Sequence, residues 1–169
     1  MMPVYRGLER AAFERHGELD DVLGRVAQLS ARTVIFDVEP LVAHWDSGQD
    51  ALDRGIAMVT GRAAAVPGLR VICFATNSLR RPSVLPSAGD VRVIYLVSAR
   101  KPLRTSPYSD FPRPGVVIGD QVATDGVLAR RLDYAFLQYR PQLAGTPRGS
   151  RLMGYCGRVV RPLLFTRPD

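Results

Sequence analysis

Two carboxylates one residue apart, Asp37 and Glu39, close the apolar run Val34-Ile35-Phe36-Asp37-Val38-Glu39. The same design returns at Val116-Val117-Ile118-Gly119-Asp120, and Asp125 follows five positions on. Between them, Thr76-Asn77-Ser78 follows a second apolar run, and Ser98-Ala99-Arg100-Lys101-Pro102 follows a third. Two strands that each deliver a carboxylate at one sheet edge can hold a magnesium ion between them, and one of those carboxylates can attack a substrate. A hydroxyl and an ammonium can cradle phosphate oxygens, and a second carboxylate can protonate a leaving group and then activate water. This set suits hydrolysis of a phosphomonoester, a reaction that enzymes accelerate by up to ~10²¹-fold.

Such chemistry needs a scaffold that brings four chain segments to one edge. A buried parallel strand reads as a continuous Val/Ile run, and open α/β sheets bind ligands at the carboxyl ends of their strands. Periodicity and punctuation predict strands over 33–38, 70–75, 91–97, 115–119 and 134–139. Helices are predicted over 7–30 and 49–65, the second stopped by Pro67-Gly68. A short helix is expected from Thr124 to Arg131 with Thr124 as its N-cap. The connections 78–90 and 98–114 are rich in Pro and Ser, which leaves room for loops or one short helix in each. Alternating strands and helices imply an α/β fold: three-layer, Rossmann-like, with about five mainly parallel strands, helices on both faces and no large cap domain. The expected organisation is an N-terminal helical segment over 1–31 packed on the core, a core over 32–141, and a basic tail over 142–169.

The order D-x-[D/E], T-N-S, K-P, G-D-Q-x-x-T-D is similar to the four motifs of the haloacid-dehalogenase (HAD) superfamily of phosphatases. Gly119 to Asp125 is its most specific part. With Arg131-Leu132 downstream and Trp45-Asp46 after the first motif, residues 30–141 resemble the capless subclass IIIA branch typified by phosphatidylglycerophosphate phosphatases (YqeG-like). The resemblance implies Asp37 as nucleophile and Mg²⁺ ligand, and Glu39 as general acid/base and, through its backbone carbonyl, a further ligand. It implies Thr76 as phosphate binder with Asn77 beside it, Lys101 as the neutralising cation, and Asp120 and Asp125 as metal residues.

Two residues depart from the pattern. Glu39 stands where the branch usually has Asp, although enolase-phosphatase-like members also use Glu, and Leu41 replaces a Thr. Only 38 residues separate Asp37 from Thr76 and 24 separate Thr76 from Lys101, which the core elements occupy. An open site suits a bulky substrate. The expectation is a Mg²⁺-dependent phosphatase working through an aspartyl-phosphate, with phosphatidylglycerophosphate favoured. The alternatives are a catalytically weakened scaffold that binds a partner, and a phosphatase of another metabolite or of nucleic-acid ends.

Composition is that of an ordinary globular protein, with 46% hydrophobic and 23% charged residues in a 169-residue chain. No apolar stretch approaches the roughly 18 residues of a membrane span, and Arg6, Glu9 and Arg10 interrupt any signal-peptide core, so a cytoplasmic location is expected. The net charge of +7 is carried almost wholly by arginine, with Lys101 the one lysine. Arginines concentrate in the tail, where Arg148, Arg151, Arg158 and Arg161 alternate with apolar residues, and peripheral contact with an anionic membrane at its inner face is expected there. No nucleic-acid-binding motif accompanies the charge. Cys73 reads as a small buried hydrophobe, His16 as a surface residue, His44 as a loop polar contact, and Trp45 as packing its loop onto the domain rather than stacking on substrate.

Overall fold

The computed structural model of the chain describes residues 18–139 together with Cys156, Gly157 and Val159. Helix α1 (Leu19–Gln28) carries Asp20 and Asp21 in its first turn, where they complement the helix dipole, and buries Val22, Leu23 and Val26. Residues 7–17 of the expected first helix, and most of the expected basic tail, lie outside the described residues. Strand β1 (Thr33–Asp37) follows, then helix α2 (Gln49–Ala64), which buries Leu52, Ile56, Val59 and Ala63 at helical spacing. Next come β2 (Val71–Ala75), β3 (Arg92–Leu96), β4 (Gly115–Gly119), helix α3 (Val127–Leu132) and β5 (Ala135–Gln138).

The strands form one five-stranded sheet in the order β3-β2-β1-β4-β5, and every neighbouring pair is parallel. Asp37 is level with Ala75, Ala75 with Leu96, and Gly119 with Gln138, so the strand ends are aligned along one edge. Successive residues of β1 alternate between layers. Val34 and Phe36 join α1 and α2 on one face, while Ile35 joins Leu128, Ala129, Tyr108 and Phe111 on the other. Burial on both faces explains the unbroken Val/Ile runs of β1 and β4. Each large aliphatic side chain so buried contributes about 1.5–3 kcal/mol. The fold is a small Rossmann-like α/β domain, and no large cap is inserted among the described residues.

The proline-rich connections behave as expected. Residues 78–90 contain no regular element, and 98–114 contain one 3₁₀ turn at Ser106–Tyr108. The segment after β4 departs from expectation. Residues Val122–Gly126 form a π turn, the α-helix starts only at Val127, and Thr124 makes no capping bond. The Gln121 carbonyl accepts from the Asp125 amide (2.8 Å) and the Gly126 amide (3.3 Å). A π turn holds one residue more than an α turn. Here the residue it carries into the interior is Asp125.

Candidate active site

At the carboxyl edge of the sheet lies an open cavity of about 320 Å³, lined by Asp37, Glu39, Trp45, Thr76, Asn77, Ser78, Arg80, Lys101, Gln121 and Thr124. It sits over the point where β1 lies between β2 and β4, the place at which chain connections diverge to the two sides of the sheet. β1 supplies Asp37 at its last position, and β4 delivers Asp120 one residue past its end.

Asp37, Asp120 and Asp125 each bring a carboxylate oxygen within 4.8 Å of the others. Asp125 is fully buried and reaches this position because residue 119 is a glycine. A Cβ on Gly119 would lie 2.3 Å from the Asp125 carboxyl carbon. The Gln121 amide donates to Asp125 Oδ2 (3.3 Å), and the Gln138 amide side chain donates to the Asp120 carbonyl (3.0 Å), tying the loop to β5.

The ammonium of Lys101 lies between two of these carboxylates. Its Nζ donates to Asp37 Oδ1 (2.6 Å) and to Asp125 Oδ1 (2.8 Å), and the side chain is almost wholly buried. A long reach is needed from the loop after β3. Ser98 (φ 45°) and Arg100 (φ 52°) turn that loop through the left-handed region, and the amides of Ser98 and Ala99 donate to the carbonyls of Ser78 and Thr76. Asn77 completes the attachment, its Oδ1 accepting from the Lys101 amide (2.8 Å) and its Nδ2 donating to the Lys101 carbonyl (3.2 Å). Asn77 thus holds the loop that carries Lys101.

Burial pushes the Asp37 carboxyl well above its ordinary value, and the charge of Asp125 adds to that, against the opposing pull of Lys101. Burial alone would lower the Lys101 ammonium, yet Asp125 and Asp37 hold it above its ordinary value. Asp37 and Asp125 share the Lys101 ammonium, and Asp120 brings a third carboxylate oxygen within 4.8 Å of theirs, an acidic cluster of the kind that holds a divalent cation. All-oxygen donors suit a hard cation such as Mg²⁺, so these residues fit the metal that the sequence led us to expect. The Glu39 carboxylate points elsewhere.

Thr76 Oγ1 donates to Glu39 Oε2 (2.6 Å) and accepts from the Ser78 amide (2.9 Å), while Ser78 Oγ donates to Glu39 Oε1 (3.2 Å). The Arg80 guanidinium lies 3.8 Å from the same carboxylate. It also donates to the carbonyls of His44 (2.8 Å) and Ser47 (2.8 Å), clamping the loop that carries Trp45 into the cavity wall. His44 makes a loop contact with Asp46, as the sequence led us to expect. Ser78 and Arg80 were not among the residues that sequence reasoning singled out. Ser78 belongs to the quoted Thr-Asn-Ser run, but Arg80 is one of 22 arginines and carried no signal of its own.

Comparison of the chain with protein-family models, with curated proteins and with solved structures returns no match.

Proposed function

We propose that this protein is a phosphomonoester hydrolase that works through an aspartyl-phosphate on Asp37. The observation that carries the reading is the Lys101 ammonium bonded to Asp37 at the edge of an acidic triad, with hydroxyls across the same cavity. A carboxylate oxygen of Asp37 attacks phosphorus and the bond to the leaving oxygen breaks, that oxygen taking a proton from Glu39, which enters this step in its acid form. Water then attacks phosphorus, giving its proton to Glu39, and orthophosphate departs as the Asp37 carboxylate is restored. Lys101 offsets the charge of the phosphate against that of the nucleophile, and Thr76 and Ser78 offer hydroxyls to its oxygens. Asp37, Asp120 and Asp125, with the Glu39 carbonyl, would hold Mg²⁺, which when bound neutralises further phosphate charge. The open cavity and the basic chain favour a bulky phosphorylated substrate, with phosphatidylglycerophosphate the leading candidate.

Phosphate release from phosphatidylglycerophosphate in mixed micelles, with added Mg²⁺, tests this. Asp37→Asn is expected to lower release by about a thousand-fold or more. Release at the wild-type rate from that variant would remove the covalent mechanism.

A second reading is a weakened scaffold that binds a partner, and the bond between Thr76 and Glu39 favours it, because the longer glutamate arm occupies the hydroxyl expected to meet phosphate. Glu39→Asp discriminates. A large gain in turnover would mark decayed chemistry, and a loss would mark a glutamate to which the site is adapted.

A further inference from the structure

Large aliphatic side chains exposed one at a time are ordinary on a protein surface, but their collection at one place is not. Among the described residues six large hydrophobics are strongly exposed, and four of them lie on the two loops that border the cavity. Leu79 (79% exposed), Val84 (75%) and Leu85 (43%) follow β2, and Leu103 (78%) follows β3. The loops are joined beside the site, since the Ser98 amide donates to the Ser78 carbonyl at 2.9 Å and Asn77 is bonded to the backbone of Lys101. The first loop is also fastened to the start of α2, where Gln49 donates to the Arg81 carbonyl and Asp53 accepts from the Ser83 amide, both at 2.8 Å. These contacts hold the aliphatic side chains outward on a supported backbone.

Charge accompanies them. Segments 78–85 and 98–104 contain five basic residues and no acidic one. Arg81, Arg100 and Arg104 are exposed, whereas Arg80 and Lys101 belong to the site itself. Aliphatic tips beside arginines match a phospholipid surface, which accepts apolar groups at the acyl boundary and attracts cations at the headgroups. A protein partner would more commonly be met by Trp or Tyr anchors, with Leu and Val under-represented, and single-stranded nucleic acid by stacked aromatics. None of the four exposed side chains is aromatic.

We propose that these two loops dock the protein on an anionic phospholipid bilayer, with the mouth of the cavity turned toward the headgroups. The proposal deepens the reading of the site as one for a lipid-borne phosphomonoester and rests on it for its purpose, but the docking is measurable without turnover. The probe is flotation of the full chain with vesicles of mixed phosphatidylcholine and phosphatidylglycerol, or of phosphatidylcholine alone, at low and high salt. Each basic residue near an anionic surface strengthens attachment roughly five-fold, so binding is expected to need the anionic lipid and to weaken with salt. The paired substitution Leu79→Ser with Leu103→Ser is expected to weaken binding by about ten-fold. Met58→Ser, an exposed apolar position on neither loop, is expected to leave it unchanged.

Absence of wild-type binding, indifference to anionic lipid, or equal binding by the paired variant would each overturn the proposal. The last outcome would move any membrane contact to another part of the chain. Hydrolysis of a soluble aryl phosphate separates the two readings. Its absence in the wild-type protein would count against the phosphatase reading and leave the vesicle result standing, while the paired variant is expected to keep the wild-type rate.

Discussion

On the Asp125 side of the cavity Asp37, Lys101 and Asp125 are buried, and the ammonium is bonded to both carboxylates. On the Glu39 side the ionisable groups are tied to hydroxyls and to main-chain carbonyls of the surrounding loops. Asp37 and Asp120 stand at the ends of central strands, and Lys101 reaches between Asp37 and Asp125. Glu39, Thr76, Ser78 and Arg80 lie beyond strand ends, and their bonds connect the loop after β1 to the loop after β2. The first half concentrates charge where water is excluded, so each partner matters steeply. The second half spreads its polar bonds from buried Glu39 and Thr76 out to half-buried Ser78 and Arg80, each group sharing several partners, so that loss of one bond costs less.

The contrast is tested most severely at Lys101. Lys101→Met leaves buried carboxylates without their cation, and a loss of about 3–5 kcal/mol is expected in chemical unfolding. An unchanged denaturation midpoint would mean that the carboxylates are not held as described. Asp37→Asn should act with the opposite sign on stability. In cation-free protein it removes a desolvated charge beside Asp125, and a gain of about 1–2 kcal/mol is expected even as activity is lost.

A pH series sharpens that expectation. Between the ordinary carboxylate range and the raised value of Asp37, the folded chain retains a proton that the unfolded chain has released. Stability supplied by that proton is therefore present at low pH and lost as pH rises through this window. Asp120 and Asp125 on the β4 side and Lys101 on the β3 side are the charged groups that act on Asp37. In Asp37→Asn this part of the slope should vanish, and a slope identical to wild type would assign it to another group.

Effects on the other half should be smaller. Thr76→Val removes the donor to Glu39 and one hydroxyl for phosphate, with about 1–2 kcal/mol lost in unfolding and about ten-fold in kcat/KM. Arg80→Ala releases the loop that carries Trp45, and a rise in KM of a few-fold is expected with nearly unchanged stability. If Arg80→Ala proved as damaging as Lys101→Met, the two halves would not differ as argued. The smallest effect is expected at Cys73, whose thiol burial pushes up to about 12. Alkylation of the native protein should proceed at the exposed Cys156 and spare Cys73 until unfolding.

Much of this arrangement is legible in one dimension. The runs ending at Asp37, Ala75 and Gly119 are strands because continuous β-branched segments bounded by polar residues favour sheets buried on both faces. Helices α2 and α3, and long proline-rich connections elsewhere, carry the chain back between strands, so the sheet is parallel and brings its carboxyl ends to one edge. The grouping of Asp37, Thr76, Lys101 and Asp120 therefore follows from pattern and topology. Thr124 shows the limit of local reading. Its type and position suit an N-cap, but residues Val122–Gly126 form a π turn in which Asp125 is buried and bonded to Lys101, and the α-helix starts beyond Thr124.

Order along the chain thus determined the α/β class, the strand ends and the residue types available at the site. Tertiary structure alone decided that Lys101 spans Asp37 and Asp125, that Glu39 takes the Thr76 hydroxyl, and that Arg80 clamps the Trp45 loop. The physical reason is range. Periodicity and propensity act over a few neighbours, whereas buried charges choose partners across 24 to 64 residues of sequence according to which pairing leaves the fewest of them unsatisfied.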